Sequence, residues 1–320
     1  MALTSRISLR GSEPSGPEDF LSSSLGVIFP DDVTNQHGDA EHSLIYASPH
    51  LPQPLHLELA DPEGETDRRL FSHYLWNASL LLAELMERDT LGLHGSGTGD
   101  GDAHARGGRD ASFCVAGKSV LELGAGTALP SIMAGLLGAQ RVAVTDYPAP
   151  AVLKTLEGNV GRNVRADRSP AGCHATPASS VVVQGHAWGE LTGPRESICQ
   201  SGRHAFDRVV AADCLWMPWQ HQNLQRSISH FLKKTPYARC WVVAGFHTGR
   251  DKMKGFFDPD ALGSHDLAVD TIWERDCNGQ DREWLWDREE DVTNKNRNKK
   301  KKKKKMMTTT TTTTTTTTDK

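Results

Sequence analysis

Three acidic residues and a pair of glycines stand where this chain could meet a ligand. The stretch "LELGAG" carries Glu122 and then Gly124, Ala125 and Gly126, and the run "VAVTD" ends on Asp146, 20 residues past Gly126. A third stretch, "AADCLW", carries Ala212, Asp213 and Trp216. Glycines at a turn let the backbone bend sharply and come close to a bound group. A carboxylate at the end of the next strand can accept hydrogen bonds from ribose hydroxyls. Asp213 can accept hydrogen bonds or a proton, and it can equally cap a helix. An indole such as Trp216 can wall a cationic group through cation–π attraction. Trp188, in "GHAWGE", can stack on a flat ring and donate from its N–H, or it can plug the core as a loop aromatic.

These residues need elements to hold them. Val120, Leu121 and Leu123, after Gly117, read as a short strand. Leu129, Ile132, Met133, Leu136 and Leu137 recur at helical spacing, with Thr127 as the expected cap and Pro130 in the first turn. The helix ends near Gly138, and Val142-Ala143-Val144 leads into Asp146. Strand, glycine turn, helix and strand make the first half of a doubly wound sheet. Such a turn also occurs where a strand and a helix merely pack closely, but the position of Asp146 favours a ligand. A dinucleotide fingerprint would have glycine where Leu129 stands, and Glu122 would repel a phosphate while suiting a cation. S-adenosylmethionine, with a ribose, an ammonium, a sulfonium and no phosphate, fits this set better than NAD.

The stretch "LELGAGTALPSIMAGLLGAQRVAVTDYP" resembles the first two motifs of the seven-β-strand S-adenosylmethionine-dependent methyltransferases, in the family 16 branch that methylates protein lysines. Within the branch it is similar to fungal proteins described either as N-terminal and lysine methyltransferases of elongation factor 1-alpha or as nicotinamide N-methyltransferase-like proteins. The likeness runs from about Leu25 to Asp291, apart from two insertions. It implies S-adenosyl-L-methionine as cofactor, held by Trp76 in "HYLWNA", by Gly124, Ala125, Gly126, Asp146 and Trp188, and by the backbone at Ala212. It implies that Asp213 and Trp216 face the acceptor amine. Related lysine methyltransferases carry Asp-x-x-Tyr here, so Trp216 replaces a tyrosine hydroxyl. The acceptor implied is a protein lysine or N-terminal amine, with an elongation factor as target. Nicotinamide or another small amine, and a catalytically weak binding paralogue, stay open as alternatives.

The remaining sequence fits an α/β class with a doubly wound, seven-strand, Rossmann-like sheet. "LHLELAD" (55–61) alternates as a strand does, and "RRLFSHYLWNASLLLAELMER" (68–88) has a helical apolar stripe that leaves Trp76 to one side. Later strands are "SVVVQG", "FDRVVAAD" and "ARCWVVAGF", with a helix carrying Leu224, Ile228 and Phe231 between the last two. Residues 1–24, rich in Ser, Gly and Pro, are expected to be disordered. The methyltransferase domain then spans 25–294, with insertions at about 89–112 and 165–179, and a Lys/Thr tail covers 295–320. His221, His247 and Arg250 fall near the active face, but surface or core roles are commoner for such residues.

Composition narrows the partners. Residues 299–320 carry a net charge of +7 and the rest of the chain −11, which argues against a nucleic-acid surface and suits a basic protein substrate. The six cysteines have no Cys-x-x-Cys spacing and the histidines no close pairing, so no metal cluster is expected. A cytoplasmic monomer without a membrane span is the simplest expectation. The tail departs from the family pattern. No apolar run follows Val292, seven lysines repel one another, and eleven threonines specify no register. The sheet is therefore expected to lack its last strand, with no packed structure beyond about residue 294 and an open edge at "DLAVDTIWE".

Overall fold

The computed structural model describes residues 3–10, 36–38, 42–60, 74–93, 112–246, 249–275, 279–286 and, as backbone, 309–315. Most of the first insertion thus lies outside the described residues. The amino-terminal part makes two small antiparallel sheets from β1 (Ile7–Leu9), β2 (Gln36–His37), β3 (Leu44–Tyr46), β4 (Leu55–Leu57) and β5 (Leu75–Trp76), in the orders β1-β3-β4 and β2-β5. The disorder expected over 1–24 is corrected for residues 3–10. Arg6 donates to the carboxylate of Glu87 at 2.9 Å and to the Tyr46 hydroxyl at 3.0 Å, and Glu87 is 1% exposed. A guanidinium on a buried carboxylate anchors a segment whose composition alone does not. Residues 11–24 lie outside the described residues.

Helix α1 (Asn77–Thr90) starts later than its stripe suggested. Trp76 is its N-cap, in extended conformation, because β5 pairs with β2 through Trp76–Gln36 and Leu75–His37. The helical pattern over 74–76 is overridden by that pairing, and 68–73 lie outside the described residues. The chain then alternates: β6 (Ser119–Leu123), α2 (Leu129–Leu136), β7 (Arg141–Asp146), α3 (Pro150–Asn163), β8 (Val181–Gly185), α4 (Ile198–Ser201), β9 (Arg208–Ala212), α5 (His221–Phe231) and β10 (Arg239–Gly245). Two short helices, α6 (Arg250–Lys254) and α7 (Pro259–Gly263), lead to β11 (Ala268–Arg275) and β12 (Asp281–Glu283). Strands β10, β9, β6, β7 and β8 are parallel neighbours in that order, as a doubly wound sheet requires.

Successive strand residues point to opposite faces, and both faces are covered. Val120, Val142, Val144, Val210 and Val243 pack beneath α1, α2 and α3. Leu121, Leu123, Ala143, Val209 and Val242 pack beneath α4, α5 and the helices after β10. No helix among the described residues is long and apolar enough to cross a membrane.

The expectation of a missing last strand is corrected. A strand β13, Thr309–Thr315, lies between β10 and β11 and pairs antiparallel with both. With β12 the main sheet has eight strands among the described residues, where seven were expected. "DLAVDTIWE" is consequently no edge, since β12 and β13 flank β11. Uniform threonine specifies no register, but its β-branched residues favour extended backbone, and two neighbouring strands offer unpaired N–H and C=O groups.

Candidate active site

The turn after β6 is held by the strand beside it. Gly124 and Gly126 have φ of 68° and 55°, in the region that favours glycine. The Gly126 N–H donates to Asp146 Oδ2 at 2.8 Å, the Tyr147 N–H to Asp146 Oδ1 at 2.7 Å, and the Ala125 N–H to the Thr145 carbonyl at 3.0 Å. Asp146 therefore fixes the turn as well as facing the cavity described below. Burial raises its pKa to about 6, against the pull of the two backbone donors. A Cβ on Gly124 would stand 2.9 Å from Cys214 Sγ and 3.0 Å from Trp188 Cζ2, so only glycine lets the indole lie this close to the turn.

Two expectations around this turn are corrected. Thr127 does not cap α2. The N-cap is Ala128, left-handed at φ 63°, with no side-chain bond. One N–H of the first turn reaches Glu122 instead, whose Oε2 accepts from the Ser131 N–H at 3.0 Å and the Ser131 hydroxyl at 2.5 Å. Glu122 is fully buried and outside the cavity, so it is no counter-ion for a cationic ligand. Burial raises its pKa to about 8.

At the carboxyl ends of the strands lies a cavity of about 420 Å³, a size suited to a small ligand. Gly124, Asp146, Trp188 and Trp216 all line it, joined by Tyr147, His186, Cys214 and Asn223. Four of the expected residues thus meet from four separate strand ends. Ala125 and Gly126 shape the turn without lining the cavity, and Ala212 lies 6% exposed beneath Cys214. Trp76 does not line the cavity and stands edge-on to Tyr74, with ring centroids 6.2 Å apart.

A polar relay holds the Trp188 loop. The Gly189 N–H donates to Ser227 Oγ at 2.8 Å, so the Ser227 hydroxyl is free to donate to His186 Nε2 at 2.9 Å. The Cys199 thiol donates to the Glu190 carbonyl at 3.2 Å, so its sulfur is left to accept from His186 Nδ1 at 3.5 Å, which favours the proton on Nδ1. Burial lowers the His186 pKa to about 4, which keeps the ring neutral and suits an acceptor at Nε2. Gly189 has φ 85°, and a Cβ there would meet Asn223 Oδ1 at 2.5 Å. The loop can approach α5 only with glycine at this position.

Asp213 follows β9 with φ 59°, a left-handed conformation that aspartate tolerates better than most residues. It is 8% exposed, and its Oδ1 accepts from the Gly245 N–H at 3.3 Å. Burial raises its pKa to about 7, against that backbone donor. Asp213 itself does not line the cavity, while its neighbour Cys214 does, with the thiol donating to the Leu123 carbonyl at 3.3 Å. Arg250 is held elsewhere. It pairs with the buried Glu274 at 2.6 Å and lies over the rings of Phe246 and Trp284, at 4.4 and 4.8 Å. His247 lies outside the described residues.

His186, Tyr147 and Asn223 were not anticipated as lining residues. Two of them are sequence neighbours of those that were, Tyr147 beside Asp146 and His186 two before Trp188. Asn223 lies in the first turn of α5, and only the approach of Gly189 marks it.

Residues 63–259 match a family model described as lysine methyltransferase. The chain is 32% identical over 178 residues to a protein N-terminal and lysine N-methyltransferase EFM7 from Eremothecium gossypii, covering 56% of each. It is 27% identical over 240 residues to one from Schizosaccharomyces pombe, covering 71% of this chain and 80% of that one. A third, from Gibberella zeae, is 30% identical over 219 residues, covering 65% of this chain and 68% of the other. Against the first of these the chain spans little more than half of the relative's length, 56%.

Proposed function

Because the chain belongs to the lysine methyltransferase family, we propose that it is an S-adenosylmethionine-dependent N-methyltransferase. Its acceptor is an amine of a polypeptide, a lysine side chain or an amino terminus, and a translation elongation factor is the proposed target. The proposed setting is the cytoplasm, with the protein acting as a monomer. The observation that carries the reading is one cavity in which Gly124, Asp146, Trp188 and Trp216 meet from four strand ends.

The residues fit the cofactor in kind. Asp146 offers carboxylate oxygens to a ribose, Trp188 offers a flat face to adenine, and the turn at Gly124 lets backbone approach without a phosphate cradle. When bound, S-adenosylmethionine supplies a methyl group already activated on a sulfonium. The protein then has to align the amine and exclude water. Trp216 walls the acceptor, where an indole attracts a methylated ammonium. Asp213 stands behind Cys214 rather than in the cavity wall, and with its pKa near 7 it is proposed to take, by way of a water, the proton that a lysine or amino terminus must lose before its nitrogen can attack.

The test is incubation with methyl-labelled S-adenosylmethionine, once with a cell lysate and once with nicotinamide. A labelled polypeptide is expected. Labelled methylnicotinamide alone would overturn the polypeptide acceptor in favour of a small-molecule enzyme, and no transfer to either would point to a binding paralogue.

A further inference from the structure

The segment 216–225 stands between two cavities. Trp216 and Asn223 face the first, described above. Pro218, His221 and Gln225 line a second, of about 480 Å³, whose far wall includes Asp251, Lys252 and Gly255. One turn and one helix thus form a partition with a lined face on each side.

The second cavity carries an unmet hydrogen-bonding need. Gln225 is 1% exposed, and its Nε2 donates to the Phe256 carbonyl at 2.8 Å. That bond fixes which end of the amide is nitrogen and leaves Oε1 buried with no partner. A buried acceptor left unpaired is unfavourable, so a donor that reaches it is favoured. His221 donates from Nε2 to the Leu215 carbonyl at 2.9 Å, and burial lowers its pKa, so its Nδ1 is a second acceptor. On the opposite wall Asp251 pairs with Lys254 at 3.0 Å, and Lys252 stands beside it as an ammonium facing the cavity. Buried acceptors on one wall and an ammonium on the other suit a neutral group that has both an N–H and a C=O, which is the peptide unit.

The partition itself offers an anchor. Trp219 lies in the Pro218–Gln220 turn and is 72% exposed. A large indole left in solvent beside two cavities is the kind of residue that dominates binding at an interface. Trp219 lies on the turn that separates the two cavities, beside Pro218 of the second and Gln220 of the first, where a chain with its amine in one and its next residues in the other would pass.

We propose that the second cavity and the Trp219 ridge bind the main chain of the polypeptide substrate beside the methylated residue. The proposal rests on the reading of the protein as a polypeptide methyltransferase and names the part of that substrate that the site holds. A small amine would have no use for a second cavity behind the partition.

Two variants test it. Gly255→Leu fills the cavity, and a Cβ at Gly255 meets nothing within 4 Å, so the fold is expected to survive. Trp219→Ala removes an exposed side chain. The polypeptide labelled in lysate is purified and used as substrate for all three proteins. Each variant is expected to raise its KM at least about tenfold while the calorimetric affinity for S-adenosylmethionine stays at the wild-type value. An unchanged KM with Gly255→Leu overturns the cavity assignment and leaves the methyltransferase reading intact. An unchanged KM with Trp219→Ala overturns the ridge. A wild-type protein that labels no polypeptide overturns both the proposal and the reading beneath it.

Discussion

At the scale of single residues, Asp146 carries two duties at once. It holds the glycine turn through two backbone N–H groups and faces the cavity. Asp146→Ala is expected to weaken S-adenosylmethionine binding by about 1.5–3 kcal/mol, measured by calorimetry, since hydrogen bonds to a charged acceptor are lost. Unchanged affinity in a folded variant would remove Asp146 from the cofactor site. Trp188 is a cleaner probe, because its contribution is a flat face. Trp188→Ala should cut cofactor affinity and Trp188→Phe should keep part of it, whereas equal affinity for all three proteins would assign the indole to packing alone. Asp213 makes a prediction in pH. Burial favours its neutral form, so the proton-accepting carboxylate appears only as pH rises through about 7. The rate under saturating cofactor should climb through that window, and Asp213→Asn should lower the rate and abolish that limb. A limb that persists in the asparagine variant would belong to another group. That Asp146, Trp188 and Trp216 line one cavity was legible in the sequence, because each follows an apolar run at a carboxyl strand end, where an open sheet forms its crevice. Ser227 and His186 were not, because a relay of hydrogen bonds across 41 residues leaves no local pattern.

At the scale of elements, the bond between Glu122 and Ser131 ties β6 to α2 where Thr127 was expected to do so. Threonine before a helix is a real signal. It lost here because Ala128 takes the left-handed N-cap position and a strand carboxylate already reaches the first turn. The tie is sensitive to base. The folded pKa of Glu122, raised to about 8 by burial, lies above its ordinary value near 4.5. The folded form therefore holds a proton that the unfolded chain gives up, and stability falls as pH rises through that interval. Glu122→Gln keeps an acceptor for Ser131 and removes the titration. Its melting temperature is expected to exceed the wild type's above pH 8 and to show no such gain near pH 4, by scanning calorimetry. A constant difference across that range would mean that Glu122 does not titrate as described. The alternation of strands and helices was readable from period alone, since both faces of the parallel sheet are buried. The start of α1 was not, because the pairing of Trp76 with Gln36 depends on a segment 40 residues away.

At the scale of the whole molecule, the sheet depends on β13 to join its parallel part to β11 and β12. Thr312 pairs with Val242 on one side and Ile272 on the other. Thr312→Pro removes a backbone donor from a central strand, a place where proline is essentially never found. The expected result is a loss of about 1–3 kcal/mol in urea unfolding, together with aggregation on concentration as β10 and β11 lose part of their partner. A variant as stable and soluble as the parent would show that β13 is dispensable. The threonine strand escaped sequence reasoning for a reason of its own. Pattern reading looks for contrast between faces, and a uniform tract has none. That same uniformity makes the strand indifferent to its own length. Seven of the eleven threonines form the described strand, and sliding the tract by one to three positions toward its longer end presents the identical chemistry. A gene that gains or loses a few threonine codons, as repeated tracts do when copied, would still deliver a full strand to the same slot, so variation in this repeat is silent at the level of the sheet.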